Sequence, residues 1–216
     1  MNENTIPTSR SVVADRIAHR ALAGRETRYT TEVRALLDAA RQVMRRCGTT
    51  SRPRVADIVA AAGLSNEAFY RHFRSKDALV VAILEDGAEQ LCGYITHQMA
   101  KETAPEEKVR RWVGGVLSQA MDEETAATTL AVMWNAGGIT EGFLAGPPSA
   151  AGLLARLLHG PYTELGSANA ELDASLAAHA TVGRLADHLW RRERPTAADV
   201  DRITRFCLRT VLPEGA

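Results

Sequence analysis

The sequence has few of the features that define secreted proteins, membrane proteins or metalloproteins. Its three cysteines, Cys47, Cys92 and Cys207, are odd in number and far apart, which fits neither a disulfide framework nor a zinc site. No apolar run reaches the ~20 residues of a membrane span, and the N-terminus lacks the apolar stretch of a secretion signal. These absences predict a cytoplasmic protein with no membrane partner.

Motifs of the common enzyme classes are also missing. The sequence contains no GxSxG elbow, Walker loop, HExxH motif or Rossmann fingerprint. His97, His159, His179 and His188 form no i, i+4 pair of the kind that binds zinc. An enzyme with an incidental DNA-binding motif is one alternative, but we expect no catalytic residues, no metal site and no cofactor.

Net charge is zero for the whole chain, yet the two parts of the sequence differ. Residues 1–80 contain 14 Lys and Arg against 8 Asp and Glu, whereas residues 81–216 contain 12 against 18. A basic segment favours a polyanion because binding releases counterions, and an acidic segment is repelled by one. The division predicts different partners for the two parts.

The sequence contains helical periodicity and no run of alternating β-branched residues, which predicts an all-α fold. Gly48 and Gly63 end the first two helices of residues 33–80, and Ser65 is a good N-cap for a third. Phe69 and Phe73 lie four residues apart and share the inward face of that third helix. Gly63 and Leu64 then form the turn of a three-helix helix-turn-helix domain.

If Phe69 and Phe73 point inward, the polar residues of the third helix face a DNA groove. Asn66 and Glu67 can pair with adenine and cytosine edges, although Glu67 also suits the dipole of a helix N-terminus. Donors for phosphate follow in Tyr70, His72 and Lys76, and Arg71 suits either role. For His72, a cap or a surface position is the alternative. A helical hairpin with a solvated polar face is the alternative for the whole segment.

The segment resembles the DNA-binding domain of the TetR family of transcriptional regulators. The resemblance rests on the positions Gly63, Leu64, Ser65, Phe69, Tyr70, His72, Phe73, Lys76, Asp77 and Leu79. Arg54 stands where the family commonly has Thr or Ser to hold a phosphate. The resemblance implies a DNA-contacting set of Arg54, Ser65, Asn66, Glu67, Ala68, Tyr70, Arg71, His72 and Lys76.

Three regions follow from this reading: an arm at 1–32, the helix-turn-helix domain at 33–80, and a helical ligand-binding and dimerisation domain at 81–216. The arm carries five arginines. It could reach the minor groove, form an extra amphipathic helix, or be a disordered tail.

The resemblance also implies a small-molecule pocket among the central helices. Large adaptable apolar side chains and a polar orienting group suit such a pocket, although a Met or Trp at helical spacing also fits an ordinary core. The candidates are Met99, Trp112, Met121, Met133, Trp134, Asn135 and Phe143.

The last two helices, predicted at 170–191 and 197–212, carry more apolar residues than one buried face requires. The family's dimer, a four-helix bundle formed with a second copy, is the prediction, and a purely intramolecular hairpin is the alternative. The predicted interface comprises Leu172, Leu176, Ala180, Gly183, Val200, Ile203, Phe206 and Cys207.

We therefore expect a homodimeric transcriptional repressor that leaves a palindromic DNA operator when a small, mainly apolar effector binds. The alternative is a DNA-binding regulator or architectural protein without a small-molecule ligand.

Overall fold

The computed structural model describes residues 12–137, 149–209 and 211 of the chain. These residues form helices joined by short turns, and no strand occurs among them. In chain order the helices are α1 (Val12–Cys47), α2 (Val55–Ala62), α3 (Asn66–His72), α4 (Lys76–Met99), α5 (Pro105–Leu117), α6 (Glu123–Ala136), α7 (Ala150–Glu164), α8 (Ala170–Arg191) and α9 (Ala197–Arg209), with a single 3-10 turn between α5 and α6. The predicted all-α fold is confirmed.

The turn between α2 and α3 has the chemistry that the sequence predicts. Gly63 ends α2 in the left-handed region at φ +66°, a conformation that glycine adopts without the strain of a Cβ atom. Ser65 then begins α3, and its hydroxyl accepts a hydrogen bond from the backbone N–H of Ala68 at 3.1 Å. The two caps set α3 at a fixed angle to α2.

The N-terminal helices close around an apolar core of their own. Phe69 is fully buried, and its ring centroid lies 5.9 Å from that of Phe73. Together with Leu36, Met44 and Ile58 they fix one face of α3 to α1 and α2. Consequently the opposite face of α3 is held outward.

Helix α6 connects this N-terminal core to the rest of the molecule. Ala131, Val132 and Ala136 belong to the N-terminal core, whereas Leu130 belongs to the C-terminal one. On its surface, Glu124 of α6 forms an ion pair with Arg45 near the end of α1. Because packed cores are close to rigid, a shift of α6 would displace side chains in both the N-terminal and the C-terminal core.

Helices α5, α7 and α8 enclose the second core. Trp112 of α5 is fully buried and donates its Nε1–H to the Leu154 carbonyl of α7 at 3.0 Å. The Tyr162 hydroxyl of α7 donates to the Cys207 carbonyl of α9, also at 3.0 Å. Gly115 allows a close approach between α5 and α4, since a Cβ there would lie 2.5 Å from Cγ1 of Ile95.

Two of the predicted domain boundaries fall inside helices. Helix α1 runs from Val12 to Cys47, so residues 12–32 are helical and continuous with the first predicted helix. Helix α4 crosses residue 80, with Leu79 in the N-terminal core and Ile95 in the C-terminal one. Of the proposed arm, residues 1–11 lie outside the described part. Over the described ranges, no helix is long and apolar enough to cross a membrane.

Candidate functional site

The outward face of α3 carries the polar residues that the sequence predicts for DNA contact. Asn66, Glu67 and Arg71 are exposed, and the Tyr70 side chain is 59% exposed. Asn66 and Glu67 lie in the first turn of the helix, the end whose free N–H groups favour negative charge. This face can therefore offer both base-reading and phosphate-binding groups.

Lys76 lies beside this face at the start of α4. Ser75 caps that helix, its hydroxyl accepting from the backbone N–H of Ala78 at 3.1 Å. Lys76 is the first residue of α4, so its charge belongs to the end of the helix where the dipole is positive. A phosphate would be attracted by both.

Arg54 precedes α2 and is the N-cap residue, where the sequence places the phosphate contact. Its side chain is 79% exposed, and its Nε and Nη2 donate to the carboxylate of Asp57 at 2.9 and 3.0 Å. The paired guanidinium lowers the pKa of Asp57, and the carboxylate raises the pKa of Arg54. Asp57 orients the guanidinium without burying it.

Two residues of the predicted contact set face inward. Ala68 is buried on the inner face of α3. The side chain of His72 is only 1% exposed, and its Nε2 lies 2.7 Å from Oε2 of Glu32 on α1. The phosphate contact predicted for His72 is therefore corrected, because this imidazole packs between α3 and α1.

Glu32 and Tyr29 of α1 both contact the His72 side chain. The sequence analysis predicted no role for either residue. Glu32 also accepts a hydrogen bond from Nη2 of Arg71 at 2.8 Å, and the two contacts lower the pKa of the Glu32 carboxyl. The ring of Tyr29 meets that of His72 edge to face, with 4.3 Å between centroids. Glu32 lies one turn after Arg28 in a stretch of α1 that has many charged residues. The sequence alone does not distinguish Glu32 from these residues, because its role depends on the contact with His72 in the folded chain.

Among the described residues, those predicted to line an effector pocket are spread over different parts of the fold. Met99 and Trp112 are part of the C-terminal core, and Met121 is 44% exposed. The buried Asn135 donates its amide to the Ala131 carbonyl of its own helix at 2.8 Å, so this amide is already satisfied.

The remaining pocket candidates are equally dispersed. Met133 packs against the C-terminal core. Trp134 faces the N-terminal domain, with the guanidinium carbon of Arg52 5.7 Å from its ring centroid. Phe143 lies outside the described residues. Met99, Trp112 and Met133 thus match the alternative of an ordinary core position.

The predicted dimer residues divide between two environments. Leu172 and Leu176 on α8 and Phe206 on α9 are each about half exposed, and Trp190 extends the stripe on α8. Gly183 is exposed, while Ala180 and Val200 are partly buried. Ile203 and Cys207 are buried in the C-terminal core, and burial raises the pKa of the Cys207 thiol. These last two are corrected to core residues, since α9 turns them toward α5 and α8.

A short helix fixed by a tight turn against two others, with polar and basic groups outward, is the arrangement of a helix-turn-helix DNA-binding domain. Residues 36–83 match the family model described as bacterial regulatory proteins, tetR family. The match covers 48 of the 216 residues and shows similarity to that family over the helix-turn-helix segment.

The fold extends this similarity over the C-terminal helices. NemR of E. coli in its reduced form has a TM-score of 0.65 at 16% identity, covering 86% of this chain and 99% of that one. The fatty acid degradation regulator FadR from Bacillus halodurans gives 0.60 at 19%, covering 82% and 94%. FadR from Bacillus subtilis in complex with stearoyl-CoA gives 0.56 at 18%, covering 82% and 98%. A comparison with curated protein sequences found no match.

Proposed function

We propose that the protein is a homodimeric repressor that binds a palindromic operator through two copies of α3 and leaves it when an effector binds. The observation that carries this proposal is the outward face of α3, where Asn66, Glu67, Tyr70 and Arg71 are exposed beside Lys76. Within the described part of the chain these side chains stay exposed, with Arg71 paired to Glu32, so a groove of DNA can reach them. A regulator that acts by binding, and not as an enzyme, accounts for this surface.

The proposed contacts separate into two kinds. Asn66 and Glu67 read base edges, because an amide pairs with adenine and a carboxylate accepts from cytosine. Tyr70, Arg71 and Lys76 hold phosphates and set the position of α3 in the major groove. Ser65 and Arg54 flank this surface as further polar contacts, and Arg54 keeps an exposed guanidinium while paired with Asp57.

Dimerisation is supported by the apolar stripe of α8 and α9. Leu172, Leu176, Trp190 and Phe206 are large apolar side chains with about half of their surface exposed. Exposed apolar side chains of this size are typical of a surface that a second protein copy covers. Paired helices of two copies would place the recognition helices about one DNA turn apart, roughly 34–36 Å.

A small, mainly apolar effector is proposed for the C-terminal helices. One structurally similar protein, FadR from Bacillus subtilis, is known in complex with stearoyl-CoA, whose acyl chain is apolar. Helix α6 packs in both cores, which offers a physical route from an effector to the N-terminal helices. The alternative is a regulator that binds DNA without any small-molecule ligand.

Selection of binding sites from random duplexes tests the proposal and separates the two kinds of contact. Lys76→Ala should weaken binding to every sequence and reduce the slope of log K against log salt by about 1 for each copy. Asn66→Ala should leave that slope unchanged and relax the preference at one base pair in each half-site, by about 1–3 kcal/mol of discrimination.

Ala61→Ser is a matched control, because Ala61 is exposed on α2 and lies outside the proposed contact set. It should bind as the wild type does. If the wild type selects no sequence, or selects a site without two-fold symmetry, the repressor proposal fails. An Asn66→Ala variant with unchanged sequence preference would remove Asn66 from the base-reading set.

A further inference from the structure

A cleft of about 420 Å³ opens where the end of α1, the first half of α6 and the end of α8 meet. Small apolar residues of α6, with Leu130 and Leu189, form part of its lining. Charged side chains line the remainder, among them Arg45, Arg192 and Arg194. Protein pockets for small molecules have this size and this combination of apolar walls and a few polar groups.

His188 provides the polar group inside the cleft. The residue is 6% exposed, and among the described residues neither Nδ1 nor Nε2 has a hydrogen-bond partner. A neutral imidazole has one donor and one acceptor, and buried polar groups are almost always hydrogen-bonded in folded proteins. A polar group on a bound molecule would satisfy one of these nitrogens.

Two guanidinium groups at the cleft are available to an anion. Arg45 is already paired with Glu124, and Arg194 makes only a long contact of 3.9 Å with Glu123. Glu123 and Glu193 are the carboxylates in the lining, and because Arg45 is already paired, they face the guanidinium groups of Arg192 and Arg194. Among the described residues Arg192 has no ion pair, so Arg192 and the weakly paired Arg194, just after the last turn of α8, are the groups open to an anion.

The backbone at Arg192 supports a role for its side chain. Arg192 ends α8 at φ +56°, and within the described ranges it is the one residue other than glycine with a positive φ. Glycine would adopt this conformation with less strain, so the sequence retains a long cationic side chain at a local cost. Backbone strain of this kind clusters at binding sites.

We propose that this cleft binds a small organic acid with an apolar body. The carboxylate lies against Arg192 and Arg194, the apolar body packs along α6, and a ring nitrogen of His188 hydrogen-bonds to a polar atom of the ligand. The site is distinct from the outer face of α3 and from the apolar stripe of α8 and α9.

The position of the cleft also implies regulation, and this step depends on the proposed DNA-binding function. Gly48 and Thr49 at the end of α1 lie in the lining together with residues of α6 and α8. A ligand there would contact the DNA-binding helices and the C-terminal helices at once. If its affinity differs between two arrangements of these helices, it shifts the balance between them.

Direct binding to the full chain is the test, with benzoate, phenylacetate and hexanoate as probes and benzyl alcohol as the uncharged comparison. We expect a Kd of about 1 mM for the best acid, a reasonable value for so few atoms, and weaker binding of the alcohol. His188→Leu and Arg192→Gly should each weaken that acid about 10-fold, by removing a hydrogen-bond partner and a charge. Arg191→Gln is the control, because Arg191 is exposed on α8 outside the lining.

The melting temperature of each variant separates binding from folding. His188→Leu removes an unpartnered imidazole and Arg192→Gly relieves the positive φ, so neither should lower the melting temperature. No binding of any acid at about 10 mM overturns the proposal, as does equal binding by wild type and His188→Leu. Operator affinity is measured separately with and without the acid. Acid binding without an effect on DNA would refute only the regulatory step, and absence of DNA binding would refute only the proposed function.

Discussion

The N-terminal and C-terminal regions both bury an apolar core, but they leave different side chains on the surface. The outer face of α3 has Asn66, Tyr70 and Arg71, which are polar and suit a hydrated, charged partner. The outer faces of α8 and α9 have half-exposed Leu176 and Phe206, which suit an apolar partner. The surface chemistry of each region thus indicates the class of partner before any complex is known.

The two surfaces should also depend on each other. One copy of α3 reads a single half-site, so tight binding to a palindrome requires that the second copy be held at the correct distance. Contacts on α8 and α9 would therefore contribute to operator affinity although they are remote from DNA. Changes to the apolar stripe should have the largest effect of all.

Phe206→Glu should break this dependence. A carboxylate in the stripe would be desolvated by a second copy, so the dimer should dissociate and operator affinity should fall by at least about 100-fold. Because Phe206 is 51% exposed, each copy should stay folded. Light scattering at micromolar concentration and operator titration measure the two effects.

Ala198→Glu provides the matched control on α9, since Ala198 is exposed and contributes no large apolar surface to the stripe. It should remain dimeric. A Phe206→Glu protein that is still dimeric would remove this face from the proposed interface, and a folded wild-type monomer would contradict the model of two half-sites.

A smaller effect is expected within the N-terminal region, at the contact between α1 and α3. Glu32→Gln removes the charge that holds Arg71 and the buried His72, so the melting temperature at neutral pH should fall by a few degrees. Glu26→Gln, an exposed change on the same helix, should have little effect.

Acid titration sharpens this test. The contacts lower the folded-state pKa of Glu32 below its ordinary value of 4.5, so its stabilising contribution is complete above about pH 4.5. That contribution is lost as the pH falls through the lowered folded-state pKa. The difference in stability between wild type and Glu32→Gln should therefore shrink below about pH 4.5. A constant difference throughout acid titration would exclude this role of Glu32.

The local part of this architecture could be predicted from the sequence, because its determinants are close together in the chain. Gly63 and Ser65 specify the turn before α3, and the spacing of Phe69 and Phe73 specifies which face of α3 is buried. The same reasoning placed α8 and α9 near their observed bounds. Periodicity and caps act within a few residues, so no tertiary information is needed.

The contacts between distant residues could not be predicted in this way. Helix α1 reaches back to Val12, and Glu32 meets His72 forty positions later in the chain. Periodicity also does not distinguish the wall of a pocket from the core, as the buried Trp112 shows. It does not distinguish between two apolar faces of α9 either, as the buried Cys207 shows. These outcomes depend on which helices pack together.

Three glycines extend the comparison between the two regions. The absence of a side chain has a different structural consequence at each of these glycines. Gly63 has a positive φ and open space where its Cβ would lie, so its cost on substitution is conformational. Gly115 is buried, and its Cβ would lie 2.5 Å from Ile95. Gly114, the preceding residue of α5, has no positive φ and nothing within 4 Å of a Cβ atom.

Alanine substitutions at these positions should therefore differ in sign. Gly63→Ala should destabilise the protein by about 1 kcal/mol through the left-handed backbone, and Gly115→Ala by about 1–3 kcal/mol through overpacking against Ile95. Gly114→Ala should instead stabilise it by about 0.5–1 kcal/mol, because alanine restricts the unfolded chain and favours the helix. Urea denaturation of the three variants measures these differences. If Gly114→Ala were as destabilising as Gly115→Ala, the close approach of α4 and α5 would not be confined to Gly115.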